Sequence, residues 1–70
     1  MQRVEVQSEA ISAVQYSREN RTLTVWYQNG GVYEYADVTE YLYRRLLMNQ
    51  PHPWHYLGQL VKSHSFKRLE

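Results

Sequence analysis

Apolar and polar residues alternate most regularly between Thr22 and Val38. Before the Asn29-Gly30 pair every second residue is apolar, and after it tyrosines recur with the same spacing. This period is typical of a β-strand with one buried side, and Asn-Gly between two such runs is a strong hairpin signal. The pattern therefore predicts a β-hairpin over these residues.

Two turns are compatible with this hairpin, and they differ in which residues pair. A two-residue Asn29-Gly30 loop pairs Val25 with Glu34, which places a carboxylate among apolar neighbours. A three-residue loop ending at a left-handed Gly31 pairs Val25 with Tyr35. We prefer the second register because it gathers five residues on one side: Leu23, Val25, Tyr27, Tyr33 and Tyr35.

The flanking segments predict a meander around the hairpin. The segment Ser17–Arg21 is polar and is interpreted as a loop, while Met1–Gln7 alternates as an edge strand does. Phe66–Leu69 alternates with charged residues, which favours a short terminal edge strand. The three main predicted strands are Ile11–Tyr16, Thr22–Gln28 and Val32–Val38.

Two helices are predicted after the hairpin. Thr39 is placed to cap the first, Glu40–Met48, because its hydroxyl can accept from an unpaired amide of the first turn. Pro53 suits the first position of the second, Pro53–Ser63, where a missing N–H costs nothing. In that helix Trp54, Leu57 and Val61 fall on one face.

These elements predict a single α+β domain over residues 1–70. It consists of an antiparallel β-meander of three to four strands, two C-terminal helices packed on one face, and the short terminal edge strand. The predicted core comprises Ile11, Val14, Leu23, Val25, Tyr27, Tyr35, Leu42, Leu46, Trp54, Leu57 and Val61.

Composition shows where the stability of so small a domain must come from. With 70 residues and no cysteine, neither a disulfide nor a thiolate metal site can support the core. Seven Tyr, two Trp and one Phe bury large areas while keeping polar tips. No apolar run approaches the roughly 20 residues of a membrane span, and no signal-peptide core is present. We therefore expect a soluble cytoplasmic protein without a membrane partner.

Neither a cofactor nor catalysis is expected. His52, His55 and His64 are the candidate neutral metal ligands, but no cysteine is present and no acidic residue stands near them to complete a site. No nucleophile motif, phosphate loop or acid cluster occurs, and Asp37 is interpreted as a turn residue. The chain is predicted not to be an enzyme, and no small-molecule substrate is evident.

A basic and aromatic group remains, although the formal net charge is only +1. Five cations in the second half are candidates for phosphate contacts. Two aromatic residues, if exposed, are candidates for stacking on unpaired bases. The candidate nucleic-acid-binding residues are Arg44, Arg45, Lys62, Lys67, Arg68, Trp26 and Tyr43.

A set of residues spread over nearly the whole chain follows the order of a known family: Ser8, Ile11, Tyr16, Leu23, Val25, Tyr27, Asn29, Gly30, Tyr33, Tyr35, Val38, Tyr41, Leu46 and Phe66. In these residues the chain resembles the KTSC domain, which occurs at the C-terminus of some lysyl-tRNA synthetases and in small bacterial proteins. The resemblance is most specific in the hairpin and first helix. The sequence His52–Tyr56 replaces the Ser-x-Gly step frequent in that family, and Leu60-Val61 replaces an Ile-Arg pair.

Three functions from different classes follow. The first is a weak RNA-binding accessory module, whose partners are RNA or a tRNA-related protein. The second is a protein-interaction or self-association module that uses a sheet edge or the Trp26 face. The third is an enzyme, which the sequence favours least. An apolar patch of Trp26 and Val32 would favour the second, and basic side chains beside an exposed aromatic would favour the first.

Overall fold

A five-stranded antiparallel sheet and two helices form the structure, a computed structural model that describes residues 2–48 and 53–70, with the backbone alone for 53–57. The strands are neighbours in chain order, so the sheet is a simple meander. The elements are β1 Val4–Glu5, β2 Ile11–Ser17, β3 Thr22–Tyr27, β4 Val32–Tyr35, α1 Glu40–Met48, α2 Pro53–Lys62 and β5 Phe66–Arg68.

The central hairpin has a three-residue turn, as predicted, but the turn lies one residue earlier in the chain. Its three-residue loop begins at Gln28, and Gly30, with φ 98°, is the left-handed residue. The Tyr27 N–H donates to the Gly31 carbonyl at 2.8 Å, which closes the loop. The predicted pairing of Val25 with Tyr35 is therefore wrong.

The observed pairing lies two residues away from the predicted one. Val25 pairs with Tyr33, and Leu23 pairs with Tyr35. Because side chains alternate with period two, a shift of two residues leaves every side chain on its predicted face. The core face of the hairpin, which we define as the side of Leu23, Val25, Tyr27, Tyr33 and Tyr35, is therefore as predicted.

A bulge explains why apolar and polar residues do not alternate simply along β2. Ile11 pairs with Tyr27, but Ala13 pairs with Trp26, so the register shifts between Ile11 and Ala13. The extra residue turns Ile11, Val14 and Tyr16 all toward the core face despite their uneven spacing.

The fourth strand ends three residues before the predicted Val38. Asp37 has a left-handed φ of 57°, which turns the chain out of the sheet. The Val38 N–H then donates to the Arg21 carbonyl at 2.9 Å, and Thr39 caps α1 by accepting from the Leu42 N–H at 3.2 Å.

Two stacked tyrosines join the sheet to the helical layer. The rings of Tyr16 and Tyr43 lie 5.1 Å apart and nearly parallel, and the Tyr16 hydroxyl donates to the Val38 carbonyl at 2.7 Å. Both tyrosines and Val38 are buried, although none was predicted for the core. The pair thus satisfies a buried carbonyl while filling the space between the layers.

Most of the remaining core was predicted. Tyr27 and Leu42 are only half-buried, while Ala13 and Val32 are buried without having been predicted. The side chains of Trp54 and Leu57 lie outside the described residues. The predicted core residues confirmed as buried are Ile11, Val14, Leu23, Val25, Tyr35, Leu46 and Val61.

Replacement of Leu46 tests this core. Leu46→Ala should lower the free energy of unfolding by about 2–5 kcal/mol, because it removes buried methyl groups and leaves a cavity. Met48→Ala, on the same helix but 81% exposed, should change it by less than about 0.5 kcal/mol. Urea unfolding followed by circular dichroism measures both, and equal effects would contradict the packing of α1.

Candidate nucleic-acid interface

A cavity of about 350 Å³ opens on the core face, between the turn end of the β3–β4 hairpin, β5 and the last residue of α2. Four of its eight described lining residues are aromatic, two are cations, and none is acidic. We call it the aromatic–cationic pocket. Its lining residues are Tyr27, Asn29, Gly31, Tyr33, Tyr35, Lys62, Phe66 and Arg68.

The aromatic wall is a direct result of the strand register. Phe66 in β5 pairs with Tyr35, and its ring lies 5.5 Å from that of Tyr33 and 5.9 Å from that of Tyr35. Tyr27 meets Tyr33 edge to face at 5.5 Å. Phe66 remains 60% exposed, so its ring offers an apolar surface to a ligand.

Two tyrosine hydroxyls meet in this wall. The hydroxyl oxygens of Tyr27 and Tyr35 lie 2.6 Å apart and share a hydrogen bond. Burial raises the pKa of Tyr27 well above its usual range, and the hydrogen bond with Tyr35 acts in the same direction. The Tyr27 hydroxyl therefore stays neutral, and the wall presents two hydroxyl groups that can exchange hydrogen bonds with a ligand.

Arg68 is held in a defined position at the rim. Its guanidinium lies over the Tyr33 ring, 5.6 Å from the ring centre, and its Nε–H donates to the Glu70 carbonyl at 2.9 Å. Lys62, the last residue of α2, lines the same pocket. Two cations from different elements, one on α2 and one on β5, therefore line the same pocket.

The hairpin turn forms the remaining wall. The Asn29 side-chain oxygen accepts from the Gly31 N–H at 3.0 Å, which fixes the amide group. A Cβ atom on Gly31 would lie 3.2 Å from the Tyr33 ring, so the absence of a side chain lets the ring lie close to the turn.

Only Lys62 and Arg68 of the five predicted cations reach this pocket. Lys67, next to Arg68 on β5, projects to the opposite face of the sheet and lies 3.6 Å from the Glu34 carboxylate. Lys67 and Arg68 therefore lie on opposite faces of the sheet, because neighbouring strand residues point to opposite sides.

The two arginines of α1 have local partners. Arg44 lies 2.7 Å from the Glu40 carboxylate, which Arg18 also contacts at 3.0 Å. The hydrogen bonds from Arg44 and Arg18 lower the pKa of Glu40, with that from Arg44 the larger cause. Arg45 lies over the Tyr41 ring at 5.8 Å. Neither arginine lines the pocket.

The two predicted stacking aromatics lie away from it as well. Tyr43 is 4% exposed in its stack with Tyr16, and burial raises its pKa, so it cannot receive a base. Trp26 lies on the opposite face, with the Arg3 guanidinium 4.4 Å above its ring. Tyr43 therefore lacks the exposure that stacking on an unpaired base requires.

Sequence reasoning missed the aromatic residues that form the pocket. It assigned Tyr27 and Tyr35 to the core and gave Tyr33 and Phe66 no functional role. The sequence did contain a signal for these residues. Tyrosines recur on the core face up to the turn, and Phe66 and Arg68 are two residues apart, so they share one face of a strand. Pairing the tail with β4 would have placed both beside Tyr33 and Tyr35.

A second cavity of about 250 Å³ lies across β5, lined by Glu34, Ala36, Ser65, Phe66 and Lys67. Its acidic and basic side chains form an ion pair with each other, so it has less charge to offer an anion than the aromatic–cationic pocket.

Metal and membrane sites gain no support from the described residues. Among the described side chains, those of residues 2–48 and 58–70, no group of three or more His, Cys, Asp or Glu is placed to hold a metal ion. His64 hydrogen-bonds the Ala36 carbonyl through Nδ1 at 2.9 Å, while His52 and the His55 side chain lie outside the described residues. Neither described helix has the length and apolar character to cross a bilayer.

Comparisons with known proteins confirm the resemblance. The model of the KTSC domain matches residues 7–66. The crystal structure of a KTSC domain protein from Yersinia pestis is similar, with a TM-score of 0.86 and 23% sequence identity over 99% of this chain and 97% of that chain. At this identity the likeness shows the fold alone. No curated protein matches the chain.

Alkaline unfolding tests the environment of Tyr27. Because its pKa is raised in the folded state, the unfolded chain loses this proton first as the pH rises past about 10. Stability is therefore fully present below that pH and falls above it. Tyr27→Phe should make the decline above about pH 10 shallower, measured by urea unfolding. An unchanged pH dependence would contradict the raised pKa.

Proposed function

This chain belongs to the KTSC domain family, and from that premise we propose that it is a non-catalytic module that binds single-stranded RNA. The observation that carries the proposal is the convergence of Lys62 and Arg68 on a pocket walled by aromatic rings. The cytoplasm is the compartment proposed for this interaction.

The charge of the pocket supports phosphate as part of the ligand. Lys62 and Arg68 are both exposed, and no described lining residue carries a compensating negative charge. Neutralisation of RNA phosphates by such cations releases counterions, which supplies sequence-independent affinity. The remainder of the surface is nearly balanced, since the net charge of the chain is only +1.

The aromatic wall supports an unpaired base as the other part of the ligand. Base stacking on an exposed aromatic side chain stabilises such complexes by about 1–3 kcal/mol for each base, and it tolerates any base. Phe66 offers such a surface beside the Arg68 guanidinium, on whose plane bases also stack. The bases of a duplex are already stacked and paired, so the proposal is limited to single strands.

The hydroxyl groups favour RNA over DNA. Tyr27 and Tyr35 place two hydroxyls in the pocket wall, and these can exchange hydrogen bonds with the ribose 2′-OH. Among the described lining residues Asn29 alone carries a side-chain amide for a base edge, and every base has an acceptor that it can meet, so we expect little sequence preference.

Self-association through the sheet has less support. Its two edge strands have only two and three residues, and charged side chains lie on both, an arrangement that discourages edge pairing. Val32 is 6% exposed and Arg3 covers Trp26, so these residues do not form the open apolar patch that an interface on that face would need.

Three single substitutions test the proposal. Binding of a labelled, unstructured RNA should fall with salt, with a log–log slope of about −1.4 if Lys62 and Arg68 each contact one phosphate. Lys62→Gln and Arg68→Gln should each make the slope shallower by about 0.7. Lys67→Gln removes the same charge from the neighbouring strand position on the opposite face and should leave the slope unchanged. Fluorescence anisotropy measures the slopes.

Thermal unfolding of each variant serves as the control for folding, because exposed charges contribute little to stability. Absence of RNA binding at low salt would contradict the proposal. So would a Lys67→Gln variant that weakens binding as much as Arg68→Gln does.

A further inference from the structure

The size of the aromatic–cationic pocket limits what it can hold. Its volume of about 350 Å³ lies at the lower end of the range for small-ligand sites, which begins near 300 Å³. Such a cavity has room for one nucleotide and not for several. We infer, on the basis of the proposed function, that the site binds a single nucleotide unit and that a nucleoside 5′-monophosphate is its smallest complete ligand.

Different lining residues of the pocket suit the base and the phosphate of a nucleotide. The exposed Phe66 ring and the Arg68 guanidinium, which is fixed over Tyr33, provide surfaces for one base. The Nε–H of Arg68 is occupied by the Glu70 carbonyl, so its terminal amino groups are the donors left for an anion. Lys62 supplies the second cation from α2. Together the two match the dianionic phosphate of a free 5′-monophosphate, or the two phosphates that flank one nucleotide unit of an RNA strand.

Asn29 adds a group for the base edge. Its side-chain oxygen accepts the Gly31 N–H at 3.0 Å, which leaves the amino group of the amide to donate. Because Asn29 lines the pocket, this donor can meet an acceptor on the base. Asn29 is thus assigned as a positioning residue for the base, whereas Lys62 and Arg68 bind the phosphate.

Asn29→Asp separates this role from a structural one. Aspartate keeps the shape of the side chain and an oxygen for the Gly31 N–H, so the turn should be retained. It replaces the donor by a negative charge beside the phosphate site, which should weaken nucleotide binding at least fivefold. At a pH low enough to protonate the new carboxyl, part of the lost affinity should return.

Competition identifies the minimal ligand. Labelled RNA bound to the full chain is titrated with uridine 5′-monophosphate, ribose 5-phosphate and inorganic phosphate up to millimolar concentration. The nucleotide should displace the RNA, while the two compounds without a base should be about tenfold weaker or more, because stacking is lost. Asn29→Asp should reduce displacement by the nucleotide without changing the melting temperature.

The outcomes separate this inference from the proposed function. RNA binding that depends on Arg68 but is not displaced by the nucleotide would overturn the single-nucleotide site and leave RNA binding in place. Equal displacement by inorganic phosphate would overturn it too, since the base would then contribute nothing. Nucleotide binding without RNA binding would support the site and overturn the RNA module, with free nucleotides as the ligand.

Discussion

One face of the β3–β4 hairpin contributes to both the core and the proposed binding site. Alternation places Leu23 and Val25 under the helices, and it carries the same face to Tyr27 and Tyr33 at the turn end. Because the side-chain period is two, an odd shift in pairing would move the β4 tyrosines to the face opposite Leu23, Val25 and Tyr27. The bulge at Gly30 fixes the register, so this turn determines which side chains face the core and which line the pocket.

Four of the tyrosines form two pairs with different physical roles. Tyr16 and Tyr43 stack between the layers, and the Tyr16 hydroxyl satisfies the buried Val38 carbonyl. Tyr27 and Tyr33 lie at the turn end, where they are only half-buried and open to the pocket. A tyrosine suits both positions because it joins a large apolar ring to a polar tip.

The sequence was sufficient for the elements and the faces, but not for details that depend on tertiary contacts. Alternation and capping residues predicted the hairpin and the start of α1, because these signals are local. The position of the bulge was not predictable, since Asn29-Gly30-Gly31 offers two glycines to the left-handed site. Lys67 and Arg68 were grouped because they are neighbours in the chain, and the pairing of β5 with β4 separates them.

Chemical shifts during an RNA titration test the central claim most directly. As unstructured single-stranded RNA is added to the isotopically labelled chain, the signals of Tyr33, Lys62, Phe66 and Arg68 should move most. The Trp26 indole N–H, on the opposite face, should stay in place and serves as an internal reference. Shifts centred on Trp26, or none around the pocket at low salt, would contradict an RNA site on the core face.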